Sequence, residues 1–96
     1  MAIATTPFDP ADYLTDGDGI EEYLRSAFET EQVSAITDAL GVVARARGMT
    51  ALAQDTGLTR QSLYKALGKD GNPGFETVMR VAHALGFRLT AERLPA

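Results

Sequence analysis

One stretch of the chain decides its fold, Met49–Leu67, which reads MTALAQDTGLTRQSLYKAL. A helix-turn-helix needs a small residue where its two helices cross and a residue that tolerates positive φ at the turn. Ala53 and Gly57 stand four residues apart in these two positions. The motif also needs apolar side chains that tie both helices to a core, a role that falls to Leu52, Leu58, Leu63 and Leu67. The spacing therefore predicts two short helices, about 51–56 and 60–68, on either side of a tight turn.

The second of these helices is the predicted recognition helix, because its outer face is polar. The outward-facing residues are Thr59, Arg60, Gln61, Ser62, Tyr64 and Lys65. In the major groove an arginine can bond O6 and N7 of guanine, and a glutamine can bond N6 and N7 of adenine. Hydroxyl groups at a helix N-terminus can bond phosphate, so this face predicts binding of double-stranded DNA. Lys65 can reach a base or a phosphate, and Tyr64 can touch the sugar-phosphate backbone or pack against a neighbouring helix. Each side chain taken singly is also typical of a solvated helix surface.

Three further helices are predicted from apolar residues at helical spacing, about 19–30, 31–47 and 75–85. Asp18 is the predicted N-cap of the first, and Thr50 and Thr59 are the predicted N-caps of the two helices in the motif. The predicted apolar face of the last helix consists of Phe75, Val78, Met79, Ala82 and Leu85. The chain is therefore predicted to be all-α, a compact five-helix domain that contains a helix-turn-helix.

The predicted helical domain, residues 19–86, is flanked by two other segments. Residues 1–18 contain two prolines and an Asp-Gly cluster, which is typical of an irregular N-terminal arm with a turn. In residues 87–96, apolar side chains at 87, 89 and 91 alternate with polar ones, which makes this tail a candidate for a short strand. A lone strand has unpaired edges, so a second copy of the chain is the expected partner and a homodimer is predicted.

Composition excludes several classes of protein. The 96 residues include no cysteine and one histidine, which argues against disulfides, thiolate metal sites and zinc clusters. No apolar run has membrane-spanning length and no secretory signal pattern is present, so a cytoplasmic protein is expected. His83 lacks partners for a catalytic constellation, so we predict neither an enzyme nor a cofactor. The run Asp16–Gly19 matches only part of a calcium loop and is better explained as a turn with a helix cap.

Charge is divided unevenly along the chain, although the net charge is −4. Residues 1–40 contain nine acidic side chains and one basic one, which gives −8. Residues 41–96 contain eight basic and four acidic side chains, which gives +4. A chain divided in this way can present a basic face to phosphates and an acidic face to another partner. Charge alone is equally compatible with two solvated surfaces.

Several blocks of the sequence carry a family resemblance. They are ARARGM at 44–49, LA at 52–53, TGL at 56–58, SLY at 62–64, GNP at 71–73 and ALG at 84–86, with FDPADYL at 8–14 and IEEYL at 20–24 nearer the N-terminus. In these blocks the chain resembles the addiction-module antidote family, HigA-like antitoxins with a lambda-repressor-like helix-turn-helix. One departure is Gly74, which stands where a serine or threonine N-cap is expected in that pattern.

The resemblance implies two activities. Such antitoxins bind and neutralise a small toxin of the RelE, ParE or HigB type, and as dimers they bind the operator DNA of their own operon and repress it. Since the toxins are typically basic, we expect the acidic residues 1–40 to contact the toxin. Two alternatives remain open: a stand-alone helix-turn-helix transcriptional regulator without a toxin partner, and a protein-interaction domain that has lost DNA binding.

Overall fold

Five α-helices, joined by short connections, make up most of the chain in the computed structural model, which describes residues 9–96. They are α1 (Gly17–Glu29), α2 (Val33–Arg47), α3 (Met49–Thr56), α4 (Arg60–Ala66) and α5 (Phe75–Ala84). A short 3₁₀ helix, Pro10–Tyr13, precedes α1. The predicted all-α, five-helix fold is thus confirmed. Residues 1–8 of the predicted N-terminal arm lie outside the described part of the chain.

The core forms where α2 meets the other helices. Its largest fully buried side chains are Leu40, Val43, Leu52, Leu63 and Val81. These five come from α2, α3, α4 and α5, and α1 adds Leu24 to the same cluster. Burying a leucine or valine completely stabilises the fold by about 1.5–3 kcal/mol. The core therefore holds α3 and α4, the two helices of the decisive motif, against the rest of the molecule.

Two of the predicted helix N-caps are wrong by two residues. The N-cap of α1 is Asp16, whose side chain accepts a hydrogen bond from the backbone N–H of Gly19 at 2.7 Å, and Asp18 lies within the first turn. Both aspartates precede a glycine, so the local sequence did not distinguish them. The N-cap of α3 is Gly48, and the helix begins at Met49, so Thr50 is already inside it.

The apolar face of α5 was predicted too wide. Phe75 is 75% exposed and Met79 is 43% exposed, whereas Val81, Ala82 and Leu85 are buried. Phe75 and Met79 share one flank of the helix because they are four residues apart. That flank turns away from the core, so the prediction that both side chains face inward is wrong.

The tail, residues 87–96, has no regular secondary structure. The backbone N–H of Phe87 donates to the carbonyl of Ala82 at 2.8 Å, and the Phe87 side chain packs against the core. Within residues 9–96 no strand is formed, so the strand candidate at 87–91 is not realised in a single chain. None of the helices described is long and apolar enough to cross a membrane.

Candidate nucleic-acid interface

The turn between α3 and α4 depends on a glycine in the left-handed region. Gly57 is the C-cap of α3 with φ of 77°, a conformation that side chains with a Cβ atom disfavour. Its backbone N–H donates to the carbonyl of Ala53 at 3.0 Å and closes the last turn of the helix. Gly57 thus redirects the chain so that only three residues separate the end of α3 from the start of α4.

Thr56 stabilises the same turn, a role that the sequence reasoning missed. Its side chain is buried, and its hydroxyl donates to the carbonyl of Leu52 at 2.8 Å. The same oxygen accepts the backbone N–H of Leu58 at 3.2 Å, across the turn. This role could have been predicted from a threonine that directly precedes a turn glycine, because its hydroxyl can bond a carbonyl one helical turn back.

Arg80 of α5 is the second residue that sequence reasoning missed. Its guanidinium donates to the backbone carbonyl of Thr56 at 3.3 Å and forms an ion pair with Glu76 at 2.8 Å. The ion pair with Glu76 could have been predicted from the sequence, because the two residues are four apart on one helix. The contact with Thr56 joins residues 24 apart, so no local sequence pattern predicts it. Arg80 therefore supplies a hydrogen-bond partner for an end carbonyl of α3 and connects that end to α5.

The residues predicted to build the motif lie in and beside the core. Leu52, Leu63 and Leu67 are buried, and Ala53 and Leu58 are half-buried and pack against the same cluster. The inward side of α4 is thereby occupied by leucines. All six of the predicted DNA-contacting residues, Thr59, Arg60, Gln61, Ser62, Tyr64 and Lys65, are exposed on the side of α4 that faces away from the core.

Two hydroxyls organise the first turn of α4. Thr59 is the N-cap, and its Oγ1 accepts the backbone N–H of Ser62 at 2.9 Å. The Thr59 hydroxyl also donates to Oγ of Ser62 at 2.8 Å. Since Ser62 accepts this bond, its own hydroxyl proton is available to donate to an anion outside the helix.

Arg60 and Tyr64 form a pair along the exposed face of α4. The guanidinium of Arg60 donates to the hydroxyl of Tyr64 at 3.2 Å, and its Cζ lies 5.6 Å from the centre of the ring. Tyr64 is 49% exposed, so it does not pack fully against a neighbouring helix. Both the hydrogen bond and the cation–π contact hold the arginine side chain over the helix surface rather than free in solvent.

Within residues 9–96, the cations of this face form no ion pairs. In the part of the chain from residue 9 onward, no carboxylate forms an ion pair with Arg60, Lys65 or Lys69, whereas Arg25, Arg45 and Arg80 are each paired with one. An open cleft of about 450 Å³ separates α4 from the N-terminus of α5. Its lining residues include Ser62, Lys65, Asp70 and Thr77. The side of α4 near this cleft thus carries a cation that forms no ion pair within the described chain, Lys65, beside hydroxyl donors.

Arg45 of α2, which lines a second cleft together with Lys69, is paired with an acidic side chain. It donates to Asp9 at 3.0 Å, and this hydrogen bond raises the pKa of the guanidinium above its ordinary value. The same bond, together with the backbone N–H of Ala11, lowers the pKa of Asp9. Burial, followed by the charge of nearby Asp38, raises the pKa of Tyr23. Arg45 thus ties the 3₁₀ helix to α2 and is not a free phosphate ligand.

No metal-binding cluster is found among the described residues. From residue 9 to residue 96, no group of three or more histidine, cysteine, aspartate or glutamate side chains is arranged to hold a metal ion. The Asp16–Gly19 run, which partly matches a calcium loop, instead contains the N-cap of α1.

The molecule is thus a small all-helical protein in which a tight turn joins two short helices, α3 and α4, and α4 exposes a polar face. The chain belongs to the family of probable addiction module antidote proteins, which it matches over residues 4–93. It is 42% identical over 86 residues to an uncharacterized protein of Haemophilus influenzae (strain ATCC 51907 / DSM 11121 / KW20 / Rd), a match that covers 90% of this chain and 89% of the relative. No solved protein structure matches the chain. Membership of an antidote family implies a regulatory protein with a cognate toxin as its partner.

Proposed function

We propose that this protein is the antitoxin of a type II toxin-antitoxin module, which neutralises a RelE-, ParE- or HigB-like toxin and, as a homodimer, represses its own operon by binding operator DNA. The observation that carries the DNA-binding half is the outer face of α4. Six polar side chains are exposed there, and the two cations among them have no acidic partner within residues 9–96. The antitoxin part of the proposal is supported by membership of the antidote family.

The proposed DNA contacts divide by chemistry. Arg60 and Gln61 stand in the first turn of α4, the part of a recognition helix that meets base edges in the major groove. Arg60 would bond a guanine and Gln61 an adenine. Thr59 and Ser62 lie at the N-terminus of α4, where hydroxyls and the helix dipole favour phosphate. Tyr64 is a positioning residue in this scheme, because it holds the guanidinium of Arg60.

Substitution of the two base-reading candidates tests the DNA-binding half. Arg60→Ala is expected to weaken binding to a DNA fragment from immediately upstream of the gene by about 1–3 kcal/mol and to relax the preference at one base pair. The matched control is Arg25→Ala, which removes the same charge from α1, where Arg25 is paired with Glu21. If neither Arg60→Ala nor Gln61→Ala changes binding in a titration at fixed salt, α4 is not the recognition helix.

The toxin is proposed to bind the acidic side of the molecule. Where α1 gives way to α2, Phe28 is 36% exposed and Val33 is 69% exposed, and the exposed carboxylates of Glu29 and Glu31 lie between them in the sequence. Apolar side chains surrounded by negative charge suit a basic protein surface, because charge complementarity directs the encounter while apolar burial supplies affinity.

Charge reversal tests this surface without disturbing the core. Removal of residues 1–30 would delete α1 and its core residue Leu24, so a substitution on the surface is the sharper experiment. The double variant Glu29→Lys, Glu31→Lys is expected to lose affinity for the protein encoded by the adjacent gene while retaining DNA binding. Asp55→Lys, on the exposed side of α3, is the control. Unchanged toxin affinity in the double variant would contradict the assignment of this surface.

The main alternative is a stand-alone transcriptional regulator that uses the same face of α4. The two functions differ in their partners, since only an antitoxin forms a stable complex with a toxin. Co-expression of this chain with the product of the adjacent gene, followed by purification through a tag on one partner, is expected to yield both proteins. Recovery of this chain alone, with its DNA binding intact, would favour the stand-alone regulator.

A further inference from the structure

The tail, residues 87–96, leaves a row of backbone groups after Phe87 without partners among residues 9–96. It contains no helix, turn or bend, and its last backbone hydrogen bond within the described chain is the one from Phe87 to Ala82. From residue 88 onward no N–H or carbonyl is bonded to any residue of 9–96. An unpaired stretch of this kind is a template for pairing with a strand of another chain.

Side chains in the first part of the tail, residues 87–90, alternate in burial as they would in a strand. Phe87 and Leu89 are half-buried, whereas Arg88 and Thr90 are exposed, and all residues from 91 to 96 are exposed. Successive side chains of a strand point to opposite faces, so Phe87 and Leu89 share one face, and Phe87 on that face packs against the core. The other face carries a cation, a hydroxyl and an anion at intervals of two residues.

We propose that two copies of the chain pair through this tail as antiparallel strands, with the two-fold axis passing through Thr90. This inference rests on the proposed homodimer and specifies its interface. In this register Arg88 of each copy stands opposite Glu92 of the other, and Thr90 faces Thr90. Opposite charges and paired threonines are both favourable when they stand directly across an antiparallel pair.

The charges select this register over its neighbours. In a parallel pair in register, Arg88 would face Arg88 and Glu92 would face Glu92, and like charges in that position are destabilising. A shift of the antiparallel pair by one residue removes both opposite-charge pairs. Such a shift also sets the face of one strand that carries Leu89 beside the polar face of the other. Centring on Thr90 keeps both half-buried faces on one side of the ribbon.

Cysteine substitution tests the register directly, since the natural chain contains no cysteine. Thr90→Cys is expected to form a disulfide-linked dimer rapidly on mild oxidation, because the two thiols face one another across the axis. Arg88→Cys is the matched control, since in this register its two thiols stand four residues apart, about 13 Å along the strands and beyond disulfide reach. A mixture of Arg88→Cys and Glu92→Cys chains is expected to cross-link better than either alone.

Reversing the charges of Arg88 and Glu92 tests the same pairs through the strength of self-association. Arg88→Glu and Glu92→Arg are each expected to weaken self-association roughly 3- to 30-fold in sedimentation experiments, because both pairs become like charges. The double variant Arg88→Glu, Glu92→Arg exchanges the charges and is expected to restore the dimer. Both residues are exposed, so circular dichroism should show an unchanged fold in every variant.

Three results would overturn the proposal. The first is a Thr90→Cys chain that cross-links no faster than Arg88→Cys, and the second is a double variant that associates as weakly as the single ones. The third is a charge reversal that weakens binding of the toxin but leaves self-association unchanged, which would assign the tail to the toxin. A chain that still dimerises but does not cross-link through residue 90 would refute this interface and leave the proposed homodimer standing. DNA binding by α4 is tested separately with Arg60→Ala.

Discussion

At the scale of single residues, the turn between α3 and α4 depends on one buried hydroxyl. The Thr56 side chain donates to the carbonyl of Leu52 and accepts the N–H of Leu58, so it satisfies backbone groups on both sides of Gly57. Arg80 bonds the carbonyl of the same residue. The orientation of α4 therefore depends on polar contacts as well as on the leucines beneath it.

Thr56→Val is expected to destabilise the protein by about 1–3 kcal/mol, since valine has nearly the shape of threonine but leaves the N–H of Leu58 without its partner. Chemical denaturation measures the change in the free energy of unfolding. Thr50→Val is the matched control, because Thr50 is exposed in the same helix. An equal loss of stability in both variants would mean that the hydroxyl of Thr56 contributes nothing specific.

The ion pair between Asp9 and Arg45 predicts a pH-dependent contribution to stability. Because the pKa of Asp9 is lower in the folded protein than in the unfolded chain, the unfolded chain binds a proton more readily. The stabilisation is therefore fully present above the ordinary carboxyl value of about 4 and is lost as pH falls towards the folded pKa. Asp9→Asn keeps a side chain able to cap the 3₁₀ helix and removes the charge.

Thermal unfolding of the parent and Asp9→Asn is expected to differ at neutral pH, and the difference should shrink in acid. Arg45→Gln should show the same loss, and the double variant should lose little more, since both changes remove one interaction. A difference between the parent and Asp9→Asn that stays constant from neutral to acidic pH would contradict the role of this ion pair.

At the scale of helices, the sequence predicted the number and order of the elements because their signals are local. Thr59 is the N-cap of α4 and Gly57 ends α3, as expected from the turn chemistry of those two residue types. The outward direction of the polar residues on α4 followed from its leucine spacing. The exposed flank of α5 at Phe75 and Met79 could not be predicted, because it depends on which side of α5 meets the other helices.

Local sequence patterns also could not predict contacts between elements that are distant in sequence. The bond from Arg80 to Thr56 and the ion pair of Arg45 with Asp9 both form only after the helices have packed. The pairing of Arg60 with Tyr64 is different, since residues four apart on a helix are neighbours. Their spacing could have placed these two side chains together, but the sequence analysis did not pair them and left the role of Tyr64 open.

Gly41→Ala is expected to destabilise the protein by about 1–3 kcal/mol through overpacking between α2 and the end of α4. A Cβ atom at residue 41 would lie 2.7 Å from the backbone oxygen of Leu67, too close for either backbone to accommodate without moving. This steric cost opposes the usual preference of a helix interior for alanine over glycine, about 1 kcal/mol.

The control for this substitution is Gly17→Ala at the start of α1. An added Cβ there meets no other atom within 4 Å, so stability should stay the same or rise slightly. If Gly41→Ala were as stable as the parent in denaturant titrations, the close approach of α2 to Leu67 would not constrain the position of α4.

At the scale of the whole molecule, charge separates two proposed binding surfaces. The −8 of residues 1–40 and the +4 of residues 41–96 combine to a net charge of −4, which by itself would argue against a nucleic-acid partner. Three of the nine cations are neutralised locally by carboxylates within residues 9–96, at Arg25, Arg45 and Arg80. Of the six cations that form no ion pair within these residues, three lie on or just after α4, where DNA binding is proposed: Arg60, Lys65 and Lys69.

Salt dependence separates the contributions of these two surfaces. Phosphate contacts release counterions, so DNA affinity should fall steeply with salt, and the slope of log K against log salt should decrease by about 1 for each phosphate contact removed. Lys65→Gln is expected to show this smaller slope, because Lys65 lies beside Ser62 in the cleft between α4 and α5. Glu29→Lys with Glu31→Lys, on the proposed toxin surface, should leave the slope unchanged. If the acidic-side variant changed the slope as much as Lys65→Gln did, the charge of the whole molecule rather than the face of α4 would govern DNA binding, and the separation of the two surfaces would fail.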